Sequence, residues 1–424
     1  MPGTGEGALK HLAETSTERG LDRIGPDASG LRGSNQSGMR AHNERLVLSL
    51  LRHQGPLAKS DLARITGLSA QTVSVIMRSL EAEGLLIKGE PVRGRIGQPS
   101  VPMALDAEGA FFLGLKIGRR SADLVLVDFL GRIRATRRNV YRYPTPDRVV
   151  AFVREALPQV VASLPRDARQ RIGGMGIAMP FQLWNWVAYL GAPQAEMDQW
   201  RHRDIQAEIA AVAGMPVHVQ NDATAACGAE LVFGTGEKPN DFIYFYFGTF
   251  IGGGLVLNGR LFTGRTGNAG GVGPMPVPGP AGSSLRLFDV ASMSRLAELM
   301  EERGESADHL WSQHAEWQVS APVLDRWMDG AAEGLAYAIL SAAALTELEA
   351  ALIDGWMPVE IRAEITQRTN AALDRLDLSG VERPQVREGT VGADARVLGA
   401  AAIPLAQRYL TDANAIPAGP TLTA

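Results

Sequence analysis

The chain has 424 residues, 45% hydrophobic and 21% charged with a formal net charge of −4, which is globular material long enough for two or three domains with sizeable cores. Its single cysteine, Cys227, excludes an intramolecular disulfide and fits a reducing cytoplasm. No apolar run approaches membrane length and no basic segment followed by an apolar one opens the chain, so neither a membrane-spanning nor a secreted protein is expected.

Residues 1–38 are rich in Gly, Ser, Thr and charge and read as a disordered arm. Residues 57–85, LAKSDLARITGLSAQTVSVIMRSLEAEGL, read as two short helices joined by a glycine turn. Leu62, Ala63 and Ile65 give the first helix an apolar face, Gly67 permits a left-handed turn, and Ser69 stands where an N-cap accepts backbone N–H bonds. In the second helix Val73, Ile76, Met77 and Leu80 fall at i, i+3, i+4 and i+7 and face a core. Ser69, Ala70, Gln71, Thr72, Ser74 and Arg78 remain for the opposite face, mostly short polar groups and one guanidinium, as on a helix that enters a DNA major groove. A helical hairpin with a merely solvated polar face gives the same pattern.

The next segment favours DNA. LLIKGEPVRGRIGQPSVPMALD has two apolar stretches around a glycine-rich tip carrying Arg93 and Arg95, a hairpin wing able to reach a phosphate or a narrow minor groove. Residues 40–100 hold nine Lys/Arg and five Asp/Glu, net +4, which leaves −8 on the rest of the chain. A basic headpiece on an acidic body suits site-specific double-stranded DNA binding better than general nucleic-acid coating.

From about residue 110 the pattern becomes mixed α/β. FFLGLKIG, ADLVLVDFLGRI and RIGGMGIAMP are β-rich, with the amphipathic helix DRVVAFVREALPQVVASL between the last two. A second block repeats the theme: PVHVQ as a strand, NDATAACGAELVFG as a helix, then DFIYFYFGTFIGGGLVLNGRLFTG as strands, with Asn258-Gly259 a strong hairpin turn. Two lobes with a ligand cleft between them follow. The glycine cluster at 248–254, including Gly252 and Gly253, suits either a phosphate cradle or a tight β-turn. Asn221 and Asp222 suit either a carboxylate acting on a sugar hydroxyl or a helix cap.

MGIAMP, QNDATAACGAELVFGTG, FGTFIGGGLVLNGRLFTGRTGNAGGVG and the closing VGADARVLGAAAIPL, together with the headpiece, resemble the ROK family of repressors and sugar kinases over residues 40–410. The resemblance implies a winged helix-turn-helix (39–105) before a two-lobed actin-like, hexokinase-like (ribonuclease H-like) α/β body. Lobe 1 would span 106–220 with a returning C-terminal helix at 397–412, and lobe 2 would span 221–396. It further implies a sugar or sugar derivative as effector and ligand contacts from Asn221, Asp222, Gly252, Gly253 and Gly271.

Much of the family's kinase chemistry does not carry over. The stretch matching the kinases' acidic phosphate turn is GLKIGRR (114–120), where Lys116 replaces the acid, and a cation there cannot hold magnesium. Gly271 and Pro274 stand where the family has a sugar-contacting glutamate and a zinc-binding histidine. The loop beyond, PMPVPGPAGSSLRLFDVASMS, has no Cys or His, and the seven histidines show no ligand spacing, so no metal and no cofactor are expected. Phe181, Trp184 and Trp186 follow the MGIAMP strand and either stack on a pyranose face or fill an interlobe core. The reading is a cytoplasmic, homodimeric, sugar-responsive repressor without catalytic residues, Asp222 being a vestigial base. An ATP-dependent sugar kinase with an appended headpiece, or a constitutive DNA-binding protein, are the alternatives.

Overall fold

The computed structural model describes residues 36–91, 101–187 and 191–411. The expected N-terminal arm up to residue 35, the wing tip with Arg93 and Arg95, and the C-terminal tail lie outside the described residues. Residues 36–38, expected in the arm, instead belong to a helix.

The headpiece is α1 (Gln36–Gln54), α2 (Lys59–Thr66), α3 (Ala70–Ala82) and a wing of β1 (Leu86–Lys88) and β2 (Met103–Leu105). The wing strands are antiparallel, and Leu57 pairs with Met103 outside them. Gly67 takes φ +69°, a left-handed conformation that glycine adopts without strain, and turns the chain between α2 and α3. Val73, Ile76, Met77 and Leu80 are buried as their spacing requires.

Two five-stranded sheets follow. The first contains β3 (Phe111–Ile117), β4 (Ser121–Asp128), β5 (Ile133–Val140), β6 (Ile172–Met179) and β7 (Val217–Asn221), in the order β5-β4-β3-β6-β7. The second contains β8 (Phe242–Phe247), β9 (Gly252–Leu257), β10 (Arg260–Phe262), β13 (Ala350–Gly355) and β14 (Gln385–Glu388), in the order β10-β9-β8-β13-β14. In each, the first three strands are an antiparallel meander and the last two join parallel to the first. The two sheets therefore share one topology. Asn258 (φ 54°) and Gly259 (φ 68°) form the tight turn between β9 and β10. A small separate hairpin pairs β11 (Pro276–Pro278) with β12 (Ser284–Arg286).

Helices α4 (Pro146–Ala162), α5 (Gln194–His202) and α6 (Ile205–Ala213) belong to the first lobe's core, through Val149, Met197 and Ile209 among others. The second lobe's core is built on α8 (Leu287–Ala291), α9 (Met293–Glu301), α10 (His309–Ser312), α11 (Ala321–Thr346) and α12 (Val359–Leu373). Two further helices lie between the sheets, α7 (Asp222–Phe233) and α13 (Ala395–Tyr409). They touch each other closely, because a Cβ on Gly399 would stand 1.9 Å from the carbonyl oxygen of Ala225. Helix α13 also packs on β3, β4 and β6, where Gly114 and Gly176 leave room for its backbone. A single apolar cluster runs from Leu50, Leu62 and Leu80 of the headpiece to Phe112, Phe129, Val397 and Leu405 of the body.

Candidate functional sites: the headpiece helix and the interlobe cleft

At the start of α3, Ser69 has extended backbone and its Oγ accepts the Thr72 N–H at 3.1 Å, the expected N-cap. Ser69, Ala70, Gln71 and Arg78 are exposed, while Thr72 and Ser74 are half-buried. The Arg78 guanidinium donates to the Ser74 carbonyl at 3.2 Å, which lays it along the outer face. Val75, 43% exposed, sits in the same arc. Sequence reading passed over it as apolar, yet 71, 74, 75 and 78 repeat the spacing of the buried arc one face round, and an apolar side chain there suits a thymine methyl.

The cleft has a volume of about 400 Å³ and is lined by Phe181, Asn221, Asp222, Gly252, Gly253 and Gly271, together with Arg119 and Arg396. Asn221 acts as a cap: its Oδ1 accepts the N–H groups of Ala223 (3.1 Å) and Thr224 (3.2 Å). Asp222, next in line, turns its carboxylate to Arg396, whose Nη1 lies 3.3 Å from Oδ2, and both side chains are nearly buried. The Arg396 guanidinium lies 4.9 Å from the Tyr246 ring centre, and that of Arg119 lies 4.7 Å from Phe250. Burial pulls Arg119 down to about 10, against the opposing influence of Asp222.

The glycine run is a packing device as much as a cradle. A Cβ at Gly252 would meet Ala223 Cβ at 2.7 Å, and one at Gly254 would meet Cys227 Cβ at 2.4 Å, so β9 lies flush against α7. The Ile251 N–H is already bonded to Ser292 Oγ at 3.0 Å. Phe181 and Trp184 do not share a site. Phe181 lines the cleft, but Trp184 packs on the first lobe's core beneath the Arg201 guanidinium, 5.4 Å from its ring. The short helical turn Leu183–Trp186 redirects the chain after Gln182 (φ 56°), which carries Trp184 off the cleft. The side chain of Trp186 lies outside what the structure describes.

Lys116 is buried in β3, where its Nζ donates to Ser121 Oγ at 3.2 Å and forms an ion pair with Asp123. Arg138 reaches the other oxygen of Asp123 at 3.1 Å. Burial lowers Lys116 to about 8, reinforced by Arg396 and Arg138 and opposed by Asp123. Arg396 was not found from sequence. It is 174 positions from Asp222, and only the return of α13 to the first sheet brings the pair together. Among the described residues, no group of three or more His, Cys, Asp or Glu side chains could hold a metal ion. None of their helices is long and apolar enough to cross a membrane.

Residues 112–304 match the ROK family and residues 38–96 the MarR family. The chain is 26% identical over 381 residues to the uncharacterised protein y4fQ of Sinorhizobium fredii, covering 88% of this chain and 93% of that protein. It is 24% identical over 244 residues to the xylose repressor of Bacillus spizizenii, covering 58% of this chain and 62% of the repressor. Among solved structures, a ROK family transcriptional regulator described as a homologue of the E. coli MLC protein superposes with a TM-score of 0.60. That superposition covers 89% of this chain and 98% of the other, at 20% identity.

Proposed function

We propose that this chain, which carries a ROK family domain behind a MarR-like winged helix-turn-helix, is a transcriptional regulator that binds an operator through α3 and responds to a sugar-type ligand in the cleft at Asp222. The observation that carries the reading is a pair of helices running from cleft to headpiece. Helix α7 has 12 residues, about 18 Å, and α13 has 15, about 22 Å. Both begin at the cleft, joined by Asp222 and Arg396. Helix α7 ends at Phe233, whose ring centre is 5.8 Å from the guanidinium of Arg52 on α1. Helix α13 ends at Tyr409, packed edge-on against Phe129, and the Thr411 N–H just beyond it donates to Ser49 of α1 at 3.0 Å. Arg52 also donates to the Phe129 carbonyl and lies over its ring.

A hydroxyl-bearing ligand that bonds Asp222 competes with Arg396 for the carboxylate. Any change in that ion pair is passed to two rigid helices whose far ends hold α1. In a homodimer, which we also propose, helix-turn-helix units read half-sites about 34–36 Å apart, so a small shift of α1 takes one α3 out of register. The same geometry disfavours a kinase: Lys116 and Asp123 form an internal ion pair where a phosphate turn would need a metal-binding acid.

The test is an operator titration with and without mono- and disaccharides, first screened by thermal shift. Asp222→Ala is expected to keep operator affinity within about threefold and to lose the ligand's effect on it, since coupling exists only while the effector distinguishes two states. A wild-type response in Asp222→Ala would remove the ligand from this cleft. Sugar-dependent ADP formation from magnesium-ATP that Asp222→Asn abolishes would restore the kinase.

A further inference from the structure

Behind the sugar-sized cleft lies a second, smaller cavity of about 50 Å³, and the two share Arg119 and Arg396 as a common wall. Among the described residues, its lining contains five cationic side chains, Lys116, Arg119, Arg120, Arg138 and Arg396, and no acidic residue. Two carboxylates stand outside it: Asp123 pairs with Lys116 and Arg138, and Asp222 pairs with Arg396. The described lining is therefore cationic on balance, around a space that admits roughly four water molecules.

The four guanidinium groups are held in an unusual way. Each lies over an aromatic ring: Arg119 over Phe250 at 4.7 Å, Arg120 over Trp311 at 5.5 Å, Arg138 over Trp356 at 5.2 Å and Arg396 over Tyr246 at 4.9 Å. An aromatic face fixes a guanidinium without neutralising it. The buried Nε of Arg396 has no hydrogen-bond partner among the described residues. Like charges crowded together repel, and an anion between them offsets that cost.

We propose that this cavity receives the phosphoryl group of a phosphorylated sugar whose ring occupies the adjoining cleft at Asp222. The inference rests on the regulator reading and names its effector class. A phosphomonoester carries close to two negative charges and three acceptor oxygens, which suits bidentate guanidinium donors set at several angles. The volume accepts one phosphoryl group and is too small for the phosphate chain of a nucleoside triphosphate. An effector ring bonded to Asp222 with its phosphate on Arg119 and Arg396 would engage both members of the ion pair that joins α7 to α13. A neutral sugar would engage only one.

The experiment uses the full chain. Thermal shift and titration calorimetry are run with inorganic phosphate, glucose 6-phosphate, xylose 5-phosphate, their unphosphorylated parents and glucuronate, against chloride at matched ionic strength. The expected results are stabilisation by inorganic phosphate and binding of at least one sugar phosphate roughly tenfold or more tighter than its parent sugar, the scale of one or two charge-assisted bonds. In the double variant Arg120→Ala/Arg138→Ala, whose parent side chains are exposed and whose unliganded melting reports on folding, that preference should fall below about threefold. The double substitution to lysine should restore part of it. No preference in the wild type, or a preference that the alanine variant keeps, overturns the proposal, as does glucuronate binding as well as the sugar phosphates. A neutral sugar that binds and releases the operator without any phosphate preference would sink this inference and leave the regulator standing. Phosphate-dependent binding without an effect on the operator would do the reverse.

Discussion

In the first sheet the turn between β3 and β4 is Gly118-Arg119-Arg120, with Lys116 two residues before it. The corresponding turn in the second sheet, between β8 and β9, is Gly248-Thr249-Phe250-Ile251, running into Gly252, Gly253 and Gly254. Strand order and direction are the same in both, so topology does not distinguish them. Their neighbours do. The second turn lies where α7 presses on β9, and its glycines remove side chains so that backbones can meet. In the first sheet the close approach has moved into the strands, to Gly114 and Gly176 beneath α13. Its turn is therefore free to carry long cationic side chains, which aromatic rings from the second lobe then hold in place. One architecture thus supplies a packing joint on one side of the cleft and a charged wall on the other.

The largest effect should come from adding one methyl group to the glycine run, on the side where β9 meets β8. A Cβ at Gly253 would lie 2.2 Å from the Tyr244 carbonyl oxygen, and backbone oxygen in a central strand has nowhere to move. Gly253→Ala should cost about 3 kcal/mol or more in urea unfolding, the upper range for overpacking. If it unfolds like wild type, β9 and β8 are not as tightly joined as described and the glycine run regains its reading as a cradle.

How far the sequence showed these differences depends on the range of the interactions. Local signals were legible: Gly67 and Ser69 delimit α3, Asn258-Gly259 marks the β9–β10 turn, and the helix beginning at Asp222 follows its strand directly. Strand β5, IRATRRNV, was not, because it is exposed along its length and belongs to the sheet through backbone pairing with β4 rather than through an apolar pattern. The cleft was half legible. Asn221, Asp222 and Phe181 are near in sequence to strand ends, where ligands gather, whereas Arg396 reaches Asp222 only through the closing helix. The place of Trp184 stayed open between cleft and core because periodicity cannot say which way a short turn rotates a ring. The role of Arg119 and Arg120 required their partners Phe250 and Trp311, 131 and 191 positions away in the sequence.

The next effect concerns the charged wall and has a sign that distinguishes it from ordinary alkaline denaturation. Lys116 faces Asp123 and Ser121 from β4, Arg138 from β5 and Arg396 from α13. Burial first, then the two arginines, lower it to about 8 from an ordinary 10.5, with Asp123 opposing. Between those two values the unfolded chain holds a proton that the folded chain has released, so this group makes stability rise with pH across that window. Relative to Lys116→Met, the wild type should gain about 2 kcal/mol between pH 7.5 and pH 10, read from urea midpoints at each pH. A flat difference would mean that Asp123 holds the ammonium at its ordinary value and that the wall is neutralised from within.

The smallest effect is expected at the wall's outer edge. Arg120 is exposed and meets the protein chiefly through the face of Trp311, and a solvent-exposed stack of this kind contributes about 0.5–1 kcal/mol. Arg120→Ala also removes one of five like charges from around a small cavity, which relieves repulsion and offsets part of that loss. The net change in unfolding free energy should therefore be under about 0.5 kcal/mol in the absence of anions, within the range of ordinary surface substitutions. Adding inorganic phosphate should widen the gap between variant and wild type, because only an occupied cavity converts the missing charge into a missing contact. A gap already wide without phosphate would make Arg120 a structural clamp between the lobes. A narrow gap that phosphate leaves unchanged would count against a phosphoryl group in this cavity.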